Sequence, residues 1–225
     1  MILIRLFENS SLYYNCKGSG FFIHESGVFV TAKHVPIYRD EVLSTFIAIH
    51  QHGEYTSVRH VRSFTPHPTA DICVGILDIN DIRNKLKYSP QMKYGHLIPD
   101  FNTPQVGEIV SNFGYGDSSI KARNSRVQLG HFNNQWHAGP VTTLYLNGRD
   151  RRNLPGATIE GHYDTIGKAS GGPVFNSDGY VIGINSMSMD GEPPISYFTP
   201  IDQILDLEID HPIYGLVTVR QLLDE

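Results

Sequence analysis

Cysteine is scarce in this sequence, and long apolar runs are absent from it. The only two cysteines, Cys16 and Cys73, are too few for the several bridges of a small secreted domain. Two isolated thiols suit a reducing compartment. We expect both to be small buried apolar side chains. No stretch approaches the roughly 18 apolar residues of a membrane span, and residues 1–7 are too few for the core of a signal peptide. Unless a leader has been removed, we expect a cytoplasmic protein that does not contact a membrane.

The chain also lacks an excess of positive charge. Its formal net charge is -5 at pH 7, and the densest basic stretch (Arg149, Arg151 and Arg152) is interrupted by Asp150. Because a nucleic-acid-binding protein needs a basic face, this distribution argues against nucleic acid as a partner. The apolar content of 40% is ordinary for a globular protein and excludes a disordered chain. The length of 225 residues suffices for one large domain or two small ones.

Short runs rich in Val, Ile, Phe, Tyr and Thr dominate the pattern, and Gly, Pro, Asn and Asp bound them. Such runs predict the strands of an all-β sandwich or barrel. They occupy residues 20–24, 28–31, 42–50, 72–77, 108–113, 141–146 and 181–186. Few β-forming residues occur between Lys93 and Pro104, so we place a boundary there and predict two β domains, 1–95 and 96–225.

Helix-forming patterns are confined to the C-terminal part of the chain. Residues 202–208 are a weak candidate. A better one begins after Thr218, because Thr218 and Gln221 have the spacing of a capping box before Leu222 and Leu223. We therefore predict a short C-terminal helix.

The strongest local signal is a glycine-dense turn at residues 167–173, with the sequence GKASGGP, followed by an apolar strand. A serine on such a turn, here Ser170, can expose its hydroxyl while backbone N–H groups surround a nearby oxygen. Acyl transfer needs both a nucleophile and donors for the charge that develops on the carbonyl. Taken alone, the motif is also compatible with an ordinary turn, because serine, glycine and proline are common turn residues.

A histidine and an aspartate lie upstream at the ends of predicted strands. His34 closes the hairpin over residues 18–35, where its near-neutral pKa would suit a general base. Asp71 opens the apolar strand 72–77, and a carboxylate there needs a hydrogen-bonding partner. Bonded to the imidazole, it would set the tautomer and stabilise the imidazolium. Each residue also has a simpler interpretation, a surface histidine among 11 and a residue that starts a strand.

The three motifs together resemble the trypsin-like serine peptidases, and in particular the bacterial HtrA-type protease domains. The resemblance covers about residues 18–200 and rests on the order of His34, Asp71 and Ser170 and on the sequence around each. The glycine-bracketed strand before His34 is similar to that branch, as are residues 107–116 and 181–186. Three motifs in one order are far more specific than any one of them.

The resemblance implies a fold and a mechanism. The fold is a pair of six-stranded antiparallel β-barrels, with His34 and Asp71 in the first, Ser170 in the second and a short C-terminal helix. In this family the serine attacks the peptide carbonyl, the histidine takes its proton, the aspartate orients the histidine, and an acyl-enzyme forms. Ser186 corresponds to the position that supports the aspartate, and Ser186, Met187 and Ser188 to the edge that binds substrate as an added strand.

Departures from the family pattern concern the turn before Ser170. The oxyanion hole implied by the family uses the N–H groups of Ser170 and Lys168, but the position of Lys168 is usually glycine, which tolerates positive φ. Either the loop reaches this geometry another way, or the enzyme is latent until substrate or an activating partner protein reshapes it. Ala169 stands where digestive members carry an aspartate that pairs with a newly cut N-terminus, so that activation route is excluded. We expect no PDZ-like segment after the last predicted strand.

The specificity pocket is the least defined part of the expected site. Asp164 lies six residues before Ser170, the offset at which trypsin keeps its selector for basic side chains. It is equally compatible with a solvated loop aspartate. Thr165, Met187 and Met189 would instead form the walls of a mainly apolar pocket.

No cofactor and no metal is expected. His50 and His52 share a strand face by their period-2 spacing, but the sequence offers no third and fourth ligand, so we predict a pair of exposed strand histidines. The leading hypothesis is a serine endopeptidase that acts on a protein or peptide substrate. A pseudoprotease that only holds a peptide, and an esterase with the same chemistry, remain the alternatives.

Overall fold

The computed structural model describes residues 1–224, except 10, 39–40, 43–45, 53–54, 79–92, 117, 124–125, 132 and 166. In these residues nearly all regular structure is β, as predicted, in two barrels with accessory two-stranded ribbons and one short helix. In the described ranges, no helix is long and apolar enough to cross a membrane.

The first barrel carries the N-terminal half of the chain. Its sheet has the strand order β2-β1-β7-β8-β9-β4-β3. These strands are β1 (Ile2–Asn9), β2 (Ser11–Ser19), β3 (Phe21–Phe22), β4 (Val28–Thr31), β7 (Phe46–His52), β8 (Tyr55–Pro66) and β9 (Cys73–Leu77). Only Gly20 separates β2 from β3, the strands at the two ends of this order, so the sheet is nearly closed. Counting β2 and β3 as one interrupted strand gives the expected six.

The second barrel is a closed sheet of six strands in the order β10-β13-β14-β17-β16-β15. They are β10 (Ile109–Gly114), β13 (Gln135–Tyr145), β14 (Thr158–Gly161), β15 (Pro173–Phe175), β16 (Val181–Met189) and β17 (Ile195–Pro200). Buried and half-buried or exposed residues alternate along β10, as expected for a strand with one face in the barrel interior.

Three two-stranded ribbons and the C-terminal elements complete the fold. The ribbons pair β5 (Ile37–Tyr38) with β6 (Glu41–Val42), β11 (Ser119–Arg123) with β12 (Arg126–His131), and β18 (Glu208–His211) with β19 (Gly215–Thr218). The weak helix candidate at 202–208 is only a short 3-10 helix, Ile201–Ile204. The helix α1 (Val219–Leu223) begins as predicted, because Thr218 and Gln221 form the complete capping box.

Buried side chains show which sequence interpretations were right. Cys16 and Cys73 are buried free thiols, as predicted, and burial raises the pKa of both, which leaves them unreactive. The prediction for His50 was wrong: its ring is buried against the rings of Phe22 and Tyr94. Strand periodicity shows which residues share a face, but not which face is buried. His52 lies among residues whose side chains are not described.

Candidate active site

Strand pairing in the first barrel brings His34 and Asp71 together. Thr31, at the end of β4, pairs with Cys73, at the start of β9; His34 follows the one and Asp71 precedes the other by a few residues. Asp71 Oδ1 accepts the backbone N–H of His34 at 3.0 Å. The ring atom Nδ1 of His34 lies 2.9 Å from Asp71 Oδ2 and 3.1 Å from Oδ1. The carboxylate therefore holds both the backbone and the ring of His34.

The charge state of this pair follows from its surroundings. The side chain of Asp71 is 14% exposed and that of His34 is 50% exposed. Burial lowers the pKa of His34, but the hydrogen bond that His34 donates to Asp71 and the negative charge of Asp71 together outweigh burial and raise that pKa above its usual value. Because a carboxylate only accepts hydrogen bonds, Nδ1 carries a proton, and in the neutral ring Nε2 is the acceptor. That is the form that a general base requires.

The loop of Ser170 lies directly against the first barrel. The carbonyl oxygen of Ser170 accepts the N–H of Ser19 at 2.8 Å. At Gly171, where φ is +84°, an added Cβ would lie 2.3 Å from the carbonyl oxygen of Ser19 and 2.8 Å from the nitrogen of Ala32. Only glycine allows this approach. It places the serine loop against Ala32, two residues before His34 in the sequence.

The hydroxyl of Ser170 is in reach of the β16 backbone. Its Oγ donates a long hydrogen bond of 3.4 Å to the carbonyl oxygen of Ser186. Among the hydrogen bonds of the described residues, none joins Ser170 to His34. Such bonds are often long or unformed in enzymes without substrate and tighten when substrate binds. The structure thus brings the loops of the three residues together without forming the serine–histidine hydrogen bond.

Lys168 reaches the backbone conformation that its side chain disfavours. Its φ is 75°, and it is the single residue other than glycine with positive φ in the described ranges. Its N–H and that of Ser170 have no acceptor within the described part of the chain. The carbonyl of Ala169 accepts the N–H of Gly172 at 2.9 Å. Because N–H and C=O point in opposite directions across a trans peptide, this bond directs the N–H of Ser170 away from Gly172.

A network of hydroxyl and amide groups lies beside the serine loop. Thr165 Oγ1 accepts Nδ2 of Asn112 at 2.8 Å and lies 2.9 Å from Ser196 Oγ. Ser188 Oγ donates to the carbonyl of Thr165 at 3.2 Å. Asp164 is exposed, and its carboxylate accepts the N–H of Thr165 at 2.8 Å. Thr165 and Ser188 are therefore neighbours, whereas the carboxylate of Asp164 is bonded to the backbone of the next residue.

The role expected for Ser186 differs in one respect. Its buried hydroxyl lies 2.8 Å from Thr199 Oγ1, so it does not support Asp71. The physical reason is a shift of register between Asn185 and Met187 on β16, since a bulge re-aims the side chain within it. Half-buried Met187 and exposed Met189 lie farther along the same strand.

Several residues that hold the site were not found from the sequence. Ser19, Thr31, Asn112 and Ser118 all hydrogen-bond to the serine loop, to its neighbours or to one another. The available signal for Ser19 was its place between two glycines at a strand end. Nothing local to Asn112 or Ser118 marks the partners that they contact about 50 residues away.

The sequence of this chain also matches a known protein family. Residues 18–184, well over half of the chain, match the family model described as trypsin-like peptidase domain. The chain belongs to the trypsin-like peptidase family. No curated protein matches this trypsin-like peptidase at a significant level.

Solved structures extend the comparison at the level of fold. The HtrA-type protease AlgW, solved with a decapeptide, has 14% identity and a TM-score of 0.60; the match covers 89% of this peptidase and 60% of that chain. Deg5 has 18% identity and a TM-score of 0.62, and the match covers 90% of this peptidase and 84% of the Deg5 chain. Rv3671c from M. tuberculosis H37Rv was solved as a serine-to-alanine mutant in its inactive form. It has 14% identity and a TM-score of 0.58, and the match covers 90% of this peptidase and 82% of the Rv3671c chain. The expected likeness to HtrA-type proteases is therefore confirmed for the fold, and this peptidase spans about three fifths of the AlgW chain.

Proposed function

We propose that this trypsin-like peptidase is a serine endopeptidase with His34, Asp71 and Ser170 as its catalytic triad. The observation that carries the proposal is the double hold of Asp71 on His34, at 3.0 Å from its N–H and 2.9 Å from its Nδ1. It leaves Nε2 as the base, and the loop that carries Ser170 lies against the backbone of Ala32, two residues before His34. The family and the fold support a protease of the serine type.

The reaction follows from these positions. Ser170 Oγ attacks the carbonyl carbon of the peptide bond while His34 Nε2 takes the hydroxyl proton, and Asp71 stabilises the resulting imidazolium. The N–H groups of Lys168 and Ser170 stabilise the oxyanion of the tetrahedral intermediate. Collapse of this intermediate breaks the C–N bond, and His34 gives its proton to the leaving amine. Water then attacks the acyl-enzyme by the same route, which releases the acid and restores Ser170.

The substrate would bind as an added strand along β16. This strand pairs with β15 only as far as Ile184, but with β17 as far as Met189. Residues 186–188 therefore have one edge without a partner strand in the described part of the chain, and Ser170 Oγ lies at its start. An extended peptide can pair with such an edge. The decapeptide in the AlgW structure agrees with a peptide substrate for this fold.

A reactive-serine probe is the direct experiment. A fluorophosphonate should label the wild-type protein and leave Ser170→Ala unlabelled, because the probe bonds to an activated serine hydroxyl. Labelling of Ser170→Ala at the wild-type rate would contradict the assignment of the nucleophile. Labelling combined with cleavage of esters but not peptides would identify an esterase.

No hydrogen bond joins Ser170 to His34 among the described residues, which also fits a second candidate, a pseudoprotease that holds a peptide at the β16 edge. This candidate predicts peptide binding with no fluorophosphonate labelling of Ser170. A cytoplasmic location and an activating partner remain parts of the proposal, drawn from the sequence.

A low basal rate is the part of the proposal that concerns Lys168. A non-glycine residue at positive φ costs about 1 kcal/mol or more relative to glycine, which favours loop conformations in which its N–H turns away. We expect Lys168→Gly to raise basal kcat by up to roughly tenfold, since about 1.4 kcal/mol corresponds to a factor of ten. The measurement is steady-state cleavage of one peptide by both proteins. An equal or lower kcat in Lys168→Gly would show that the resting loop is already competent.

Specificity for basic residues depends on where the charge of Asp164 acts. If its carboxylate faces the side chain of the bound substrate, the enzyme cleaves after Arg or Lys, because a carboxylate in a low-dielectric site attracts a cation. Asp164→Ser should then lower kcat/KM after basic residues at least about tenfold more than after apolar ones. Paired peptides that differ only at the residue before the cleaved bond measure this. An unchanged profile would assign Asp164 to the solvated turn with Thr165, and the pocket to Thr165 and Met187.

A further inference from the structure

Ser19 connects the first barrel to the loop that carries Ser170, and its polar groups are all in use. It is the last residue of β2 and is 1% exposed. Its N–H donates to the carbonyl oxygen of Ser170 at 2.8 Å, and its hydroxyl donates to the carbonyl oxygen of Lys168 at 3.2 Å. The hydroxyl oxygen accepts the N–H of Tyr115 at 3.1 Å, and its carbonyl accepts Thr31 Oγ1 at 2.7 Å.

The contact with Lys168 falls on the strained residue of the loop. A backbone conformation of this kind persists only where its surroundings hold it. Three groups extend from Lys168 Cα: the carbonyl, the side chain and the amide nitrogen. Ser19 Oγ holds the carbonyl, and the carbonyl oxygen of Ser118 holds the Nζ at 3.0 Å. The bond to the carbonyl restrains the backbone of Lys168 directly, and the bond at Nζ adds a weaker restraint through the flexible side chain. With the backbone held at positive φ, the direction of the N–H of Lys168 is set.

We infer that Ser19 is a positioning residue that keeps the N–H of Lys168 aimed at the developing oxyanion. The inference rests on the proposed function, because an oxyanion forms here only if Ser170 attacks a carbonyl. Ser19 touches no reacting atom. Its hydroxyl acts through the carbonyl of Lys168 and offsets part of the strain that glycine would avoid at that position.

The alanine variant isolates this hydroxyl. Ser19→Ala keeps the backbone bonds to Ser170 and Thr31 and removes only the contacts with Lys168 and Tyr115. We expect kcat on a peptide to fall about 10- to 100-fold, less than the ~10²–10³ for a whole oxyanion donor. KM should stay within about twofold, since the oxyanion exists in the transition state and not in bound substrate.

The decisive comparison repeats the substitution in the Lys168→Gly background. Glycine adopts positive φ without strain, so Ser19→Ala should there lower kcat less than about threefold. A purely structural role of Ser19 would give the same factor in both backgrounds. That equality would overturn the inference, and so would a rise in KM with unchanged kcat.

Two further variants separate positioning from loss of stability. Thr142→Val removes a hydroxyl of the second barrel that donates to Glu160 Oε1 at 2.9 Å, and should lower Tm without lowering kcat. If Ser19→Ala does not fold, Lys168→Met tests the same pair of anchors. Lys168 is exposed, so this variant loses only the bond to Ser118. We expect its kcat to fall while its KM stays unchanged. If Ser170→Ala is inactive while Ser19→Ala and Lys168→Met both keep the wild-type kcat, the inference about Ser19 is overturned and the proposed function is not. Full activity in Ser170→Ala would instead overturn the proposed function.

Discussion

Replacement of Ser170 by alanine is expected to lower kcat for peptide cleavage by about 10⁶, to near the uncatalysed background. The reason is that the members of a triad act as a unit, so the loss of the nucleophile forfeits most of what all three supply. His34→Ala should cost a similar factor, because without its ring no base takes the hydroxyl proton. Steady-state cleavage of a fluorogenic peptide, followed at high enzyme concentration, measures both losses.

The fold should survive the change at Ser170. Its side-chain hydroxyl makes only the long bond of 3.4 Å to Ser186, whereas the backbone bond from Ser19 is retained in alanine. We therefore expect Tm within a few degrees of the wild type. Ser177→Ala, at an exposed turn serine of the same barrel, is the matched control and should keep full activity. Substantial peptidase activity in Ser170→Ala would show that another group is the nucleophile.

The fold was predictable where short-range patterns determine it. The strand at 28–31 coincides with β4, and the run at 72–77 contains β9, because both are buried runs bounded by turn residues. The β1–β2 hairpin was missed: its first strand was interpreted only as a short apolar stretch. Neither the pairing of β1 with β7 nor the near closure of the sheet at Gly20 leaves a local pattern.

The candidate site was predictable as a set of motifs but not as a set of contacts. Sequence order and the neighbours of His34, Asp71 and Ser170 marked the three residues. The bond from Ser19 to Lys168 spans 149 positions and depends on how the second barrel lies on the first. Likewise, the bulge that turns Ser186 towards Thr199 arises from strand register, which a single sequence specifies only weakly.

Asp71→Asn is expected to lower kcat by about 10⁴ while the fold remains intact. Asparagine has one side-chain oxygen and one NH₂ group, whereas the carboxylate of Asp71 accepts from both the N–H and Nδ1 of His34. If the asparagine oxygen keeps the bond to the backbone N–H, its NH₂ group faces Nδ1. Nδ1 must then accept, so the ring proton moves to Nε2. A ring with its proton on Nε2 cannot take the proton of Ser170.

The pH dependence provides a second measurement of the same contact. The general base must be neutral, so kcat/KM of the wild type rises with pH through the pKa of His34 in the free enzyme. Burial lowers that pKa, and the hydrogen bond and charge of Asp71 raise it further than burial lowers it, so the acid limb should lie above the usual imidazole value of about 6.5. Asp71→Asn removes the charge and leaves the burial, and should move the limb to lower pH. Asp164→Asn removes a carboxylate that bonds to Thr165 and should leave the limb in place. An acid limb that stays fixed in Asp71→Asn, or a kcat above a tenth of the wild type, would show that Asp71 does not govern His34.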